Sequence, residues 1–390
     1  MYVKMAGQSF SEIARRKIPA GEPSSSSNQA PGAAEVSQAL GPSHGLASGA
    51  VALLEMPVPE AGWCGSTSGA RFSPMPTKQE PIHSGYGAQT TARQVLENRR
   101  LDGVTAVVTG GYSGIGLETT RALRDAGASV IVPARTPDKA REALAGMDRV
   151  ELESLDLADP ASIDAFAARF LESGRPLHLL VNNAGIMATP LVRDARGFES
   201  QLATNHIGHF QLTGRLWPAL RRARGARVVS LSSRGHRRAG VDFDDPFFRR
   251  RPYDKWIAYG QSKTANVLFA VALDARGEAH RVRAFAVHPG AVVSDLMRSM
   301  TDEEVQAAVS ASNAISPLKT PEQGAATSVW CATSGQLDGM GGVYCEDCDI
   351  AEAVAADAPD ARGVRPWAID RDFAERLWTM STEWTGVSFP

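Results

Sequence analysis

The stretch from Val104 to Ala126 constrains this chain more than any other. Val104-Thr105-Ala106-Val107-Val108 is apolar and β-branched, Thr109-Gly110-Gly111-Tyr112-Ser113-Gly114-Ile115-Gly116 is glycine-rich, and Leu117 to Ala126 has helical character with Gly127 as its stop. An unbroken apolar run of this length reads as a buried parallel strand. Strand, glycine turn and helix in that order suit a dinucleotide pyrophosphate. Gly110 allows the tight turn, Gly114 lets backbone approach the phosphates, and Gly116 lets the helix pack against the strand. The amides of Tyr112, Ser113 and Ile115 lie at the helix N-terminus, where anions bind. The Tyr112 ring narrows the pyrophosphate or adenosine side.

The following segments extend the same pattern. Ser129 to Ala134 reads as a second strand whose end lies at the cofactor ribose. An acidic residue there would accept from the 2′-hydroxyl of NAD. This chain instead has Ala134-Arg135, and an arginine fork suits a 2′-phosphate, so NADP is preferred over NAD. Asp156, with Leu157 beside it, ends a third strand and is placed at the adenine amino group. Leu179-Leu180-Val181 leads into Asn182-Asn183-Ala184-Gly185, where the small residues let a cofactor lie flat. Asn182 reads equally as a cofactor contact or as a structural tie between strands.

Tyr259 and Lys263 are four residues apart, so on a helix they share a face. A free phenol ionises near pH about 10, and a neighbouring ammonium lowers that value. The pair therefore reads as an acid/base tuned toward neutrality.

These residues resemble the short-chain dehydrogenase/reductase family. The matching pieces are Thr109 to Gly116, Asn182 to Gly185, Ser232-Ser233, Tyr259 to Lys263 and His288-Pro289-Gly290, in a region of roughly 100 to 385. Thr204 to Phe210, Tyr253 to Asn266 and Arg376-Leu377-Trp378 resemble the retinol-dehydrogenase and WW-domain-oxidoreductase branch. The resemblance implies Tyr259 as proton donor or acceptor and Lys263 as its partner and ribose ligand. It implies Ser233, rather than Ser232, on the substrate oxygen, and Asn205 holding a relay water. Pro289, Gly290, Val292 and Ser294 are implied at the nicotinamide, Ser294 standing where the family usually has threonine. It also implies a doubly wound parallel sheet of seven strands in the order 3-2-1-4-5-6-7. Dimers or tetramers would be built on helices 197–223 and 254–276.

The remainder of the chain fits an α/β Rossmann-type single domain. Helices are expected near 160–173, 197–223, 254–276 and 321–333, and strands near 178–182, 226–231, 282–287 and 342–345. Residues 99–390 form this domain. Residues 1–98 read as a disordered extension and a polar lead-in, because 1–74 are rich in Ser, Gly and Pro without periodicity. Met1 to Lys17 is basic apart from Glu12 and resembles a transit peptide; Met75 is an alternative start. Ala50 to Leu54 is the longest apolar run of that region and is too short to span a membrane. A net charge of −2 gives no reason to expect a nucleic-acid partner. The arginines at 221–227 and 249–251 read as solvated faces. Cys64, Cys331, Cys345 and Cys348 lack the fourfold ligand pattern of structural zinc, so reduced thiols in a cytoplasmic protein are expected, with no metal site. His206 and His209 read as ordinary helix histidines.

The function expected is reversible NADP(H)-dependent hydride transfer between an alcohol and a carbonyl. Two alternatives stand beside it: a non-catalytic dinucleotide-binding regulator, and a carbon–carbon double-bond reductase. The substrate region is expected at Ser294 to Pro317, where Leu296, Met297, Met300, Val305, Val309 and Ile315 suit either a lid over a lipophilic molecule or a plain amphipathic covering helix. Phe247, Phe248, Tyr253 and Trp256 form an aromatic wall or pack the loop before the catalytic helix.

Overall fold

A computed structural model describes residues 77–313, 317–359 and 362–390. The expectations for residues 1–74, for Met75 and for Ile315 lie outside these residues. Strands β1 (Thr105–Val108), β2 (Ser129–Ala134), β3 (Val150–Ser154), β4 (Leu179–Asn182), β5 (Ala226–Leu231), β6 (Val282–His288), β7 (Val343–Glu346) and β8 (Asp349–Ile350) form one sheet in the order β3-β2-β1-β4-β5-β6-β7-β8. β1 to β7 are parallel throughout. The expected seven-stranded order is therefore present, with one correction. β8 adds an eighth, antiparallel strand. Asp347 and Cys348 both adopt positive φ, 51° and 61°, as a two-residue hairpin turn requires. The second cysteine of Cys-x-x-Cys thus lies in the tight reversal itself, which apolar patterning does not reveal.

Side-chain alternation divides the core into two layers. Val107, Ile131, Leu180, Val228 and Ala286 face one layer with Phe166, Phe210, Leu268 and Trp378. Their neighbours Val108, Val130, Val181, Val229 and Val287 face the other with Leu123, Val329 and Trp330. Each central strand is buried on both faces, which explains its near-continuous apolar sequence.

The helices that flank the sheet are α1 (Ala92–Val95), α2 (Gly114–Asp125), α3 (Pro137–Ala143), α4 (Pro160–Glu172), α5 (Gly208–Arg215), α6 (Trp217–Arg222), α7 (Lys255–Gly277), α8 (Asp302–Asn313), α9 (Pro321–Thr333) and α10 (Arg371–Thr385). The single helix expected over 197–223 is interrupted twice. A π-helical turn occupies Ala203–Ile207, and α6 begins anew with Pro218 in its first turn, because proline has no N–H to continue the ladder. Residues 77–98, read from sequence as part of the extension, pack on the domain. Ala92 and Val95 are buried with Trp330 in the core. Gln79 Nε2 donates to Tyr344 O (2.8 Å), and Gln79 Oε1 accepts from Tyr344 N (2.9 Å). Polar side chains attach residues near Gln79 to the sheet edge, while Ala92, Val95 and Leu96 add apolar contacts with the core.

α10 covers α5 and α7. Trp378 lies edge-on to Phe210 (5.0 Å between centroids) and stacks with Phe269 (6.1 Å).

Four histidines among the described residues, His206, His209, His236 and His288, are buried in neutral form. His206 bonds Ser381 of α10 (2.8 Å), and burial pushes it down to about 3. Burial likewise pushes His209 and His236 down to about 4. These values lie below the unfolded value, so the unfolded chain binds more protons as acid is added. The stability they permit is present above pH about 6.5 and is lost as the pH falls toward 4. Urea denaturation at stepped pH should show stability declining below pH 6.5 by roughly 1.4 kcal/mol per pH unit for each histidine titrating.

Candidate active site

The chain order of neighbouring strands reverses between β1 and β4, and at such a point the strand ends of an open parallel sheet leave a crevice. Gly110 and Gly114 have φ of 64° and 49°, a region that side-chain-bearing residues avoid. A Cβ on Gly116 would lie 2.3 Å from Gly110 O, so helix and turn approach closely only with glycine there. Ser113 precedes α2 without capping it through its side chain. Asn183 Nδ2 donates to Thr109 O (2.8 Å), holding the turn after β4 against the glycine turn. A Cβ on Gly110 would sit 3.2 Å from Ala184 Cβ.

Thr109 organises this junction. Its Oγ1 accepts from Asn183 N (2.9 Å) and Ala184 N (3.0 Å) and pairs with His209 Nε2 (2.9 Å). His209 Nδ1 faces Asn205 O (3.0 Å). Because a carbonyl only accepts, Nδ1 carries the proton and Nε2 accepts from Thr109. Sequence reasoning missed His209. Its place four residues after Asn205 on the helical segment was the only available signal. Asn182 Nδ2 donates to Thr213 Oγ1 (3.2 Å), so its tie runs to α5.

Asp254 caps α7 by accepting from Trp256 N (2.7 Å) and Ile257 N (2.9 Å). One turn in, Tyr259 and Lys263 are both buried, with Lys263 Nζ 5.7 Å from the phenol ring centre. Lys263 Nζ donates to Leu231 O (2.9 Å). Ser232 Oγ donates to Lys263 O (2.7 Å) and is thereby a structural tether. Ser233 Oγ accepts from Gly235 N (3.0 Å) and meets the Tyr259 hydroxyl. Asn205 lies within the π-helical turn. Its Oδ1 accepts from Ile186 N (2.9 Å), and its Nδ2 donates to Ile186 O (3.0 Å) and Ser262 Oγ (2.9 Å). A Cβ on Gly185 would be 3.1 Å from Asn205 Oδ1 and 3.6 Å from Lys263 Nζ. Gly185, Asn205, Ser233, Tyr259 and Lys263 therefore converge.

Burial dominates the electrostatics. It pushes the Tyr259 phenol up to about 12, with the Ser233 hydroxyl opposing, and pushes the Lys263 ammonium down to about 7. The sequence argument expected the lysine to lower the phenol. In the protein alone, desolvation of both groups outweighs that attraction. The result is a protonated phenol beside an amine that titrates near neutrality.

The loop after β6 closes the other side. Gly290 has φ of 90°, Pro289 precedes it, and Val292 bridges to Lys319. Ser294 Cβ lies 3.4 Å from where a Gly114 Cβ would stand, so this loop faces the glycine turn. Ile115 and Val292 both press on Gly324 of α9. Tyr112 is half-buried against the core. Arg135 is exposed at the end of β2 and has no ion-pair partner within 4 Å among the described residues. Asp156 Oδ1 accepts from Ala158 N (2.9 Å), and Leu157 is buried against Gly208, where a Cβ would lie 2.3 Å from Leu157 O. Glycine cradle, helix N-terminus and flat Ala184-Gly185 floor fit a dinucleotide.

The short chain dehydrogenase family model matches residues 104–305. The chain belongs to the short-chain dehydrogenase/reductase family. It is similar to a "Probable oxidoreductase" of Streptomyces antibioticus, 46% identical over 295 residues, covering 73% of this chain and 98% of that protein. It is 38% identical to retinol dehydrogenase 12 of Homo sapiens over 297 residues, 74% of this chain and 89% of the relative. Among solved structures, the Pseudomonas aeruginosa RhlG/NADP active-site complex aligns with a TM-score of 0.52 at 25% identity, covering 63% of this chain and 95% of that one. This short-chain dehydrogenase/reductase is accordingly an oxidoreductase acting on CH–OH or C=O groups.

Gly235 is a site residue that the sequence reading did not single out. A Cβ there would lie 2.8 Å from Tyr259 Cε1, so the glycine makes room for the phenol ring. Gly235→Ala should displace the ring and lower kcat on the order of 10²-fold. Affinity for the reduced nicotinamide dinucleotide, read by fluorescence titration, should be retained.

Proposed function

We propose that this short-chain dehydrogenase/reductase interconverts a lipophilic alcohol and its carbonyl with NADP(H), using Tyr259 as general acid and base. The observation that carries the reading is the buried Tyr259 phenol beside Lys263, with Ser233 Oγ close to its ring across Gly235 at the end of β5. Bound NADP(H) supplies or accepts the hydride. In reduction, Ser233 Oγ and Tyr259 Oη hold and polarise the carbonyl oxygen, and Tyr259 delivers its proton to the forming alkoxide. The high phenol value keeps the proton in place until the alkoxide, a stronger base, develops. Lys263 binds the ribose and, charged, stabilises the phenolate left behind. The Asn205 segment joins the site to the Thr109–His209 network and orients the proton path. Exclusion of water by the buried setting strengthens each of these interactions.

Arg135 supports NADP over NAD. It is an exposed, unpaired guanidinium at the end of β2, with Ala134 standing where an NAD-selective site would place an acid. Half-buried Leu296, Met297 and Met300, together with relatives named retinol dehydrogenase, support a lipophilic substrate. No helix among the described residues is long and apolar enough to cross a membrane.

NADPH oxidation would be followed with medium-chain aldehydes, aromatic ketones, retinal and an enone. Tyr259→Phe should lower kcat by about 10²–10⁴-fold on every accepted carbonyl; undiminished turnover would exclude the acid role. Arg135→Ala should raise the KM for NADPH about tenfold through loss of a charge-assisted bond, while the KM for NADH stays level.

A further inference from the structure

After Val292 the chain leaves the sheet, and it rejoins at Lys319, whose N–H donates to Ala291 O (2.8 Å). Within this excursion α8 has no buried residue. Only its inner face, Glu304, Val305, Ala308, Val309 and Ser312, is half-covered. An amphipathic helix that buries so little gains little from the hydrophobic effect in holding its place. Two ion pairs tie the segment down. Asp295 meets Lys139 of α3, 3.3 Å away, beside the ribose end of the crevice. Glu304 meets Lys255, the first residue of α7.

The second tie bears on the chemistry. Lys255, Tyr259 and Lys263 recur every four residues and share one face of α7. Glu304 is thereby anchored one helical turn from the catalytic phenol. Its carboxylate has two tasks. Oε2 accepts from Thr301 N (3.0 Å), and Glu304 N donates to Thr301 Oγ1 (3.2 Å), which starts α8 with a reciprocal cap. Oε1 receives the lysine. One side chain therefore sets both where α8 begins and where that beginning sits relative to Tyr259.

We infer that Lys255 and Glu304 are positioning residues that hold α8 as the substrate-side wall of the active site, while Lys139 and Asp295 hold the same segment on the cofactor side. Neither pair touches the reacting atoms. The inference rests on the proposed function only for which substrate meets the wall. The placement of the wall stands on the ion pairs themselves.

The full-length protein tests this with two readouts. Glu304→Gln keeps the capping capacity and removes the charge; Lys255→Gln removes the partner. Each should speed amide hydrogen exchange over residues 296–313 at an unchanged melting temperature. Each should also raise the KM for the best aldehyde of the panel two- to fivefold, about what a half-exposed ion pair supplies, and leave the KM for NADPH level. The double variant Lys255→Gln/Glu304→Gln should be no worse than either single one. Asp295→Asn should move the KM for NADPH instead. Unchanged exchange in Glu304→Gln, or a double variant whose effect is the product of the singles, overturns the inference. If the wild-type protein reduces no carbonyl of the panel, the functional reading fails, and the exchange measurement still decides the positioning role.

Discussion

Thr109 Oγ1 stands where three backbone segments meet, and the site depends on that meeting. It accepts from the amides of Asn183 and Ala184 and donates to His209, whose other nitrogen donates to Asn205 O. The glycine turn after β1, the small-residue turn after β4 and the π-helical turn are thus joined by one continuous, buried set of hydrogen bonds. Each member is satisfied by another, and in a water-free interior that makes the arrangement rigid. The neutral state of His209 is part of the device: only the Nδ1–H form can both donate to a carbonyl and accept from the threonine.

The same low-polarity surroundings govern the pair proposed to act as acid and base. Burial holds Tyr259 protonated and brings Lys263 near neutrality, so protein packing sets the starting protonation of the chemistry. The bond from Lys263 Nζ to Leu231 O and that from Ser232 Oγ to Lys263 O lock α7 to the end of β5, and this places Ser233 rather than Ser232 at the phenol. Adjacent residues at a strand end point to opposite sides, so one serine became a tether and the other lies by the Tyr259 ring.

Much of this was readable beforehand because short-range physics dictates it. The doubly apolar strands, the glycine spacing and the four-residue interval of Tyr259 and Lys263 are local signals, and the strands and the helices at 160–172, 255–277 and 321–333 follow them closely. The departures have non-local causes. The segment 77–98 attaches through the Gln79 and Asp349 side chains at a sheet edge and through Ala92 and Val95 against Trp330. The π-turn at Asn205 accompanies that residue's bonds to Ile186 and Ser262. α10 packs on α7 through Trp378 and Phe269, residues far apart in the sequence.

The chain's own residue order determined a parallel α/β sheet with a phosphate-binding glycine turn and a tyrosine–lysine pair on one helical face, because strand burial, turn geometry and helical repeat act over a few residues. Only the tertiary structure decided that His209 links Thr109 to Asn205, that Gly235 makes room for the phenol, that desolvation rather than charge attraction sets the Tyr259 and Lys263 protonation, and that Glu304 reaches Lys255. Each of these depends on groups distant in sequence being brought within a few ångströms and away from water, a condition no local pattern encodes.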